Sequence, residues 1–150
     1  MERRCKHKEK MMLANMIFPL MFGAIFYYLL SPDVIFVKRM DQFLGMGIHI
    51  GNIDLNCAFI RLLRNYLPDM LWGYALVFAL YKIIGNKEAG VWKAFVTAFL
   101  FSTVMECLQL TTFVRGTFDV FDIVGELLSE VAAVFIIKNF FEEEKNEKQI

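Results

Sequence analysis

Five acids, one glutamine and one arginine lie between residues 105 and 130 of a chain that is otherwise strongly apolar. The residues there that could bind a ligand or transfer protons are Glu106, Gln109, Arg115, Asp119, Asp122 and Glu126. Asp69 and Trp72, one helical turn apart in an earlier segment, are expected to join them. Paired carboxylates can act as general acid and base, hold a divalent cation or bind a cationic ligand. These residues form the predicted site.

The acids of the last apolar segment share one face of a helix. At about 100° per residue, Asp119, Asp122, Glu126 and Glu130 fall within an arc of about 80°. At about 1.5 Å per residue, Glu126 lies roughly 10 Å and Glu130 roughly 16 Å beyond Asp119. An acid in the middle of a bilayer costs on the order of 3 kcal/mol. We therefore expect these side chains to face the interior of a helical bundle.

The composition is typical of a small integral membrane protein. The chain has 150 residues, of which 57% are hydrophobic, and its mean hydropathy is +0.47. So short a chain cannot bury that much apolar surface in a water-soluble core, because small domains have a high surface-to-volume ratio. The formal net charge is zero, and the charges crowd the chain ends and short connections. We expect one all-α membrane domain over residues 1–150.

Four apolar segments are long enough to cross a bilayer, which takes about 20 helical residues. They cover about residues 11–30, 66–84, 91–110 and 119–141. The first is interpreted as a retained helix, because no small-residue cleavage site of a signal peptide follows it. Residues 31–65 are predicted to form an outer loop, in which the stretch CAFIRLLRN suits a short amphipathic helix lying in the membrane interface.

Lysine and arginine near the segment ends predict the orientation. Basic residues are concentrated before the first segment, between the second and third, and after the fourth. Both termini are therefore predicted to be cytoplasmic, and the predicted site lies in the outer leaflet. Arg115 is the expected counter-ion, because its planar guanidinium can hold two carboxylates. The remaining acids are expected to be protonated, or to bind a cation or a cationic ligand.

Several other chemistries are disfavoured. Cys5, Cys57 and Cys107 form no pair motif, and His7 and His49 have no companions at metal-ligand spacing, so neither a metal nor a cofactor is expected. No serine–histidine or cysteine–histidine arrangement is visible. The glycine-rich stretch GMGIHIGN does not match a nucleotide-binding fingerprint. The basic N-terminus is explained by membrane topology, so no nucleic-acid partner is expected.

The stretch ECLQLTTFVRGTFDVFDIVGE resembles the signature of the VanZ-like family of small bacterial membrane proteins. The matching positions are Glu106, Gln109, Arg115, Asp119 and Asp122. Glu126 stands where the family pattern has Asn. Asp69, in the stretch PDMLW, matches the first residue of a family Asp-Lys-x-x-His element whose Lys and His are absent here. The resemblance implies a multi-pass protein of the bacterial plasma membrane with a cell-envelope role, such as resistance to the glycopeptide teicoplanin.

Three functions remain open. In the first, the outer-leaflet site of an envelope protein binds a lipid headgroup, a cell-wall intermediate or an amphiphilic antibiotic such as a glycopeptide. In the second, a membrane-embedded enzyme uses paired carboxylates on a lipid-linked substrate. In the third, the acidic stripe conducts cations or protons, although only apolar residues occupy positions 131–137. The residues favour the first function, a non-enzymatic protein that has membrane lipids as partners.

Overall fold

The chain folds into a bundle of helices. The structure is a computed structural model that describes residues 2–31, 35–45, 47, 58–85, 89–111 and 118–142. Of these residues 92% are helical and none forms a strand, which confirms the predicted all-α class. The elements are α1 (Glu2–Leu30), α2 (Ile35–Leu44), α3 (Ala58–Ile84), α4 (Gly90–Gln109) and α5 (Val120–Ile137), which a π-helical turn over Lys138–Glu142 extends.

Three of these helices are long and apolar enough to cross a membrane, namely α1 over Lys6–Leu30, α3 over Phe59–Ile84 and α4 over Gly90–Gln109. Their outer faces carry large apolar side chains, and Phe18 is 71% exposed. Helix α5 has a similar outer face, since Phe135 is 65% exposed, but it also carries three acids. Exposed apolar surface on this scale marks a face that contacts lipid or another apolar partner.

Two helix starts differ from the sequence prediction. Helix α1 begins at Glu2 rather than near residue 11, because the basic N-terminal residues are themselves good helix formers. Helix α3 begins at Ala58 rather than near residue 66. Residues 58–65, predicted as a separate interfacial helix, form the first turns of α3, since no helix-breaking residue interrupts them. Pro68 consequently lies inside α3, as membrane helices tolerate.

Helix α2 lies within the predicted outer loop and is attached to the end of α1. The Tyr28 hydroxyl donates a hydrogen bond to the Asp41 carboxylate. Val37 is buried, and with Met40 it lines an apolar cavity of about 460 Å³ between α1 and α2. Lys38 is exposed. The helix is therefore amphipathic, as expected for a segment at a membrane surface.

The turn between α3 and α4 depends on two glycines. Gly85 has a φ of 76°, and its backbone N–H donates to the Tyr81 carbonyl at 2.9 Å, which ends α3. A Cβ atom on Gly90 would lie 2.5 Å from the Gly85 carbonyl oxygen, so only glycine fits there. Because α3 and α4 join at this end, the start of α3 and the end of α4 meet at the opposite end of the bundle.

An apolar core fills the half of the bundle next to this turn. Its buried members are Val77, Phe78, Tyr81, Val91, Ala94, Ala98, Ala133, Val134, Ile137 and Phe141. The small side chains of Ala94 and Ala98 let α4 approach its neighbours closely, as is common between membrane helices. The Lys138 ammonium lies 4.3 Å from the centroid of the Trp92 ring. This half of the bundle is therefore closed by packed side chains.

Candidate functional site

The other half of the bundle contains acidic side chains from three helices. Four of them are close enough to interact electrostatically, namely Asp69 of α3, Glu106 of α4, and Asp122 and Glu126 of α5. We call these four residues the carboxylate cluster. Glu106 and Glu126 are each only 5% exposed, whereas Asp69 and Asp122 are half-buried. Burial within the cluster therefore increases from Asp69 and Asp122 to Glu106 and Glu126.

Full ionisation of the carboxylate cluster is costly without a positive partner. Two like charges about 7 Å apart repel by roughly 2 kcal/mol at an effective dielectric constant of about 20. Burial adds the cost of removing each charge from water. Asp122 experiences the charges of Asp69 and Glu106, and Glu126 experiences all three other members. A stable arrangement therefore requires protons or a bound cation.

Three buried oxygen atoms of the cluster have no hydrogen-bond partner within the described part of the chain. They are Oε2 of Glu106, Oδ1 of Asp122 and Oε2 of Glu126. A buried acceptor left unsatisfied costs about 1–3 kcal/mol, and more when it is charged. Native proteins satisfy most such atoms. Unsatisfied acceptors on neighbouring helices therefore indicate a place where a donor from another molecule can bind.

Gln109 and Asp119, both predicted site residues, lie beside the carboxylate cluster. The Gln109 side-chain amide donates to Glu106 Oε1 at 2.7 Å. Asp119, predicted as the first acid of the helical stripe, is instead the N-cap of α5, a position that favours aspartate. Its carboxylate accepts from the Phe121 backbone N–H and from the Tyr66 hydroxyl, both at 2.9 Å. Asp119 thus starts α5 and links it to α3.

Two predicted site residues are not placed in the cluster. Trp72 is 45% exposed and lines a cleft of about 300 Å³ with Pro19 and Gly23, so it lies on the α1 side of α3. Arg115, the predicted counter-ion, lies outside the described residues. Its pairing with the carboxylates stays a prediction.

Glu130 lies one turn deeper than Glu126. It is fully buried, and the Ser102 hydroxyl donates to its Oε1 atom at 3.1 Å. Its Oε2 atom has no hydrogen-bond partner among the described residues. The buried Ala133 follows on the same helix and belongs to the apolar core. The polar region therefore ends at Glu130.

Gly73 lets α5 approach α3 closely. A Cβ atom at this position would lie 3.2 Å from Ser129 Oγ and 3.4 Å from Glu130 Cγ. The absence of a side chain therefore allows the acidic face of α5 to lie directly against α3. Gly73 stands four residues after Asp69, on the same helical face.

Sequence reasoning missed three residues of this region, namely Tyr66, Gly73 and Ser102. The four-residue spacing of Ser102 and Glu106 was an available signal, since it places both side chains on one face of α4. The contact between Tyr66 and Asp119 joins residues far apart in the chain, so spacing alone could not have revealed it.

Ser102→Ala is expected to lower the free energy of unfolding by about 1–3 kcal/mol, because it leaves Glu130 buried without its hydrogen-bond donor. Glu130→Gln in the same background should restore most of this loss, since a neutral amide costs less to bury than a carboxylate. Thermal unfolding is measured for the wild type, both single variants and the double variant, which together form a double-mutant cycle. Additive effects would contradict the predicted coupling between the two side chains.

The geometry restricts what the cluster can hold. Across the described ranges, no group of three histidine, cysteine, aspartate or glutamate side chains could hold a metal ion. The carboxylates can instead bind protons or accept hydrogen bonds from a larger cation. Their negative charge repels anions.

No protein-family model, curated protein or solved structure matches this chain. The VanZ-like resemblance therefore stays a prediction that rests on Glu106, Gln109, Arg115, Asp119 and Asp122 in the sequence.

Proposed function

We propose that this chain is a multi-pass protein of the cell envelope that binds the polar group of an amphiphilic molecule at the carboxylate cluster. The observation that carries the proposal is the burial of Glu106 and Glu126, each with an oxygen atom that no described residue satisfies. Polar residues that only hold membrane helices together hydrogen-bond with one another. Unsatisfied acceptors are better explained by a ligand that supplies the donors.

In the proposed topology α5 is the fourth span and both termini are cytoplasmic. Helix α5 packs against both α3 and α4, which are apolar enough to cross a membrane, so it shares their surroundings. The basic residues at the chain ends and between α3 and α4 support a cytoplasmic location for that side. The carboxylate cluster then lies in the outer leaflet of a bacterial plasma membrane.

A binding protein accounts for the polar region better than a cation or proton pathway does. A pathway needs polar groups or water on both halves of the bundle. Beyond Glu130, however, Ala133 and Ile137 are fully buried in the apolar core together with Phe78. The polar region is therefore closed at one end, which suits a ligand that enters and leaves on the same side.

An enzyme that acts on a lipid-linked substrate is also less well supported. Covalent catalysis requires a nucleophile hydrogen-bonded to a base. Within the described segments, the hydrogen bond to a carboxylate of the cluster comes from the Gln109 amide rather than from a hydroxyl or thiol. The Ser129 hydroxyl donates to the Glu126 backbone carbonyl instead. These contacts orient the carboxylates without activating a nucleophile.

The VanZ-like resemblance extends the proposal to glycopeptide resistance, with a lipid headgroup, a cell-wall intermediate or the antibiotic itself as the ligand. The test is the susceptibility of a Gram-positive host that expresses the wild type, Asp122→Asn or Glu9→Gln at matched membrane levels. Glu9 is an exposed acid near the N-terminus and serves as the matched control. Teicoplanin, vancomycin and cationic antimicrobial peptides are compared.

We expect the wild type and Glu9→Gln to protect the host, and Asp122→Asn to give no protection, because it removes one charge of the cluster. Protection by all three forms would contradict a role for the carboxylates. Protection by none of them would contradict the resistance part of the proposal.

A further inference from the structure

The unsatisfied atoms of the carboxylate cluster specify the chemistry of a ligand. Glu106 Oε2 comes from α4, and Asp122 Oδ1 and Glu126 Oε2 come from α5. When the carboxylates are ionised all three atoms are acceptors, and a protonated primary amine offers three N–H donors and no acceptor. Such a group therefore matches the site in the sign of its charge and in the number of hydrogen bonds.

An ammonium group fits the carboxylate cluster better than a metal ion does. Calcium and magnesium need oxygen atoms at about 2.0–2.6 Å. Among the described residues, no group of three histidine, cysteine, aspartate or glutamate side chains could hold a metal ion. An ammonium nitrogen lies about 2.7–2.9 Å from each carboxylate oxygen, so its acceptors surround it at a wider spacing.

A quaternary ammonium fits less well than a primary one. It has no N–H donor, and proteins recognise it through the faces of aromatic rings. The hydrogen bond to Glu106 comes from the Gln109 amide, and Tyr66, an aromatic residue beside the cluster, uses its hydroxyl to bind Asp119. The Trp72 ring is on the α1 side of α3. A primary amine would satisfy acceptors that a quaternary one would leave unpaired.

The half-buried members of the cluster are the ones that such a cation would contact first. Asp69 and Asp122 are half-buried, and Glu126 lies deeper on the same face of α5 as Asp122. A cation would first contact the half-exposed carboxylates and then move towards Glu126. Burial of the pair strengthens the attraction, because the effective dielectric constant falls away from water.

We propose that the carboxylate cluster binds the protonated primary amine of an amphiphile headgroup, with Glu106, Asp122 and Glu126 as its acceptors. This inference rests on the proposed function and names the chemical class of its ligand. The same ammonium chemistry occurs in a lipid headgroup and in a small soluble amine, so the experiment separates these two sources.

The test measures lipid binding to the purified full-length protein in detergent by native mass spectrometry. Phosphatidylethanolamine, phosphatidylcholine and phosphatidylglycerol with identical acyl chains are titrated separately, and free ethanolamine is added as a competitor. We expect phosphatidylethanolamine to bind at least about tenfold more tightly than the other two lipids, a difference of about 1.4 kcal/mol. Millimolar ethanolamine should compete only weakly, because it lacks the apolar part.

Glu126→Gln and Glu106→Gln should each lower the affinity for phosphatidylethanolamine to that for phosphatidylcholine. Glu9→Gln should leave both affinities unchanged. Two glutamine variants are used so that a folding defect in one does not decide the result. Equal binding of all three lipids, lost in Glu126→Gln, would overturn the amine inference but leave the proposed function standing. Binding that no variant alters would overturn both. Efficient competition by ethanolamine would show that the bound ammonium group comes from a small soluble amine and not from a lipid headgroup.

Discussion

Glu126→Gln is expected to stabilise the unliganded protein and to abolish ligand binding at the same time. Glutamine has nearly the same shape as glutamate but cannot ionise, so it removes the cost of burying a charge, or of binding a proton instead, beside Asp69, Glu106 and Asp122. Replacing buried charges with neutral groups is often stabilising, and we expect a gain of about 1–2 kcal/mol. Opposite effects on stability and binding are typical of residues kept for function.

Thermal unfolding in detergent, with and without a bound amphiphile, measures both effects. Glu9→Gln is the control, because it makes the same chemical change at an exposed position. If Glu126 only held α5 against its neighbours, Glu126→Gln would lower the unfolding temperature relative to Glu9→Gln. That result would assign the carboxylate a structural role and contradict the proposed site.

Gly73→Leu is expected to destabilise the fold and to remove ligand binding. A Cβ atom at this position would lie 3.2 Å from Ser129 Oγ and in ordinary contact with the Glu126 Cα atom at 3.6 Å, so the three further carbons of leucine would meet the backbone of α5. Backbone cannot move aside as a flexible side chain can, so α3 and α5 must separate. Overpacking of this kind costs about 1–3 kcal/mol. The separation should also displace Glu126, so ligand binding should be lost as well.

Gly47→Leu is the matched control for this variant, because no atom of the described residues lies within 4 Å of a Cβ at Gly47. Thermal unfolding and lipid binding are compared for both variants and the wild type. Equal unfolding temperatures for the two leucine variants would show that α3 and α5 do not pack closely at Gly73.

The helical class and much of the candidate site could be predicted from the sequence. Long apolar runs predicted α1, α3 and α4, and helical periodicity placed Asp122 and Glu126 on one face. Antiparallel connections then predicted that Glu106 would meet them. These features follow from spacing along the chain, which a sequence displays directly.

Features that depend on contacts between helices could not be predicted in the same way. Helical periodicity places Trp72 on one face of α3. It does not show that α1 packs against that face. The cap formed by Asp119 depends on where α5 begins, and helix boundaries are the least certain part of a sequence prediction. The close approach at Gly73 depends on which residues of α5 lie opposite it.

The most direct test of a ligand site in the carboxylate cluster is native mass spectrometry of the full-length protein purified from its membrane without added lipid. The wild type, Glu126→Gln and Glu9→Gln are compared at matched yield. We predict that the wild type and Glu9→Gln retain an amphiphile of defined mass and that Glu126→Gln has lost it. The same bound species at the same occupancy in all three proteins would contradict a site built on these carboxylates.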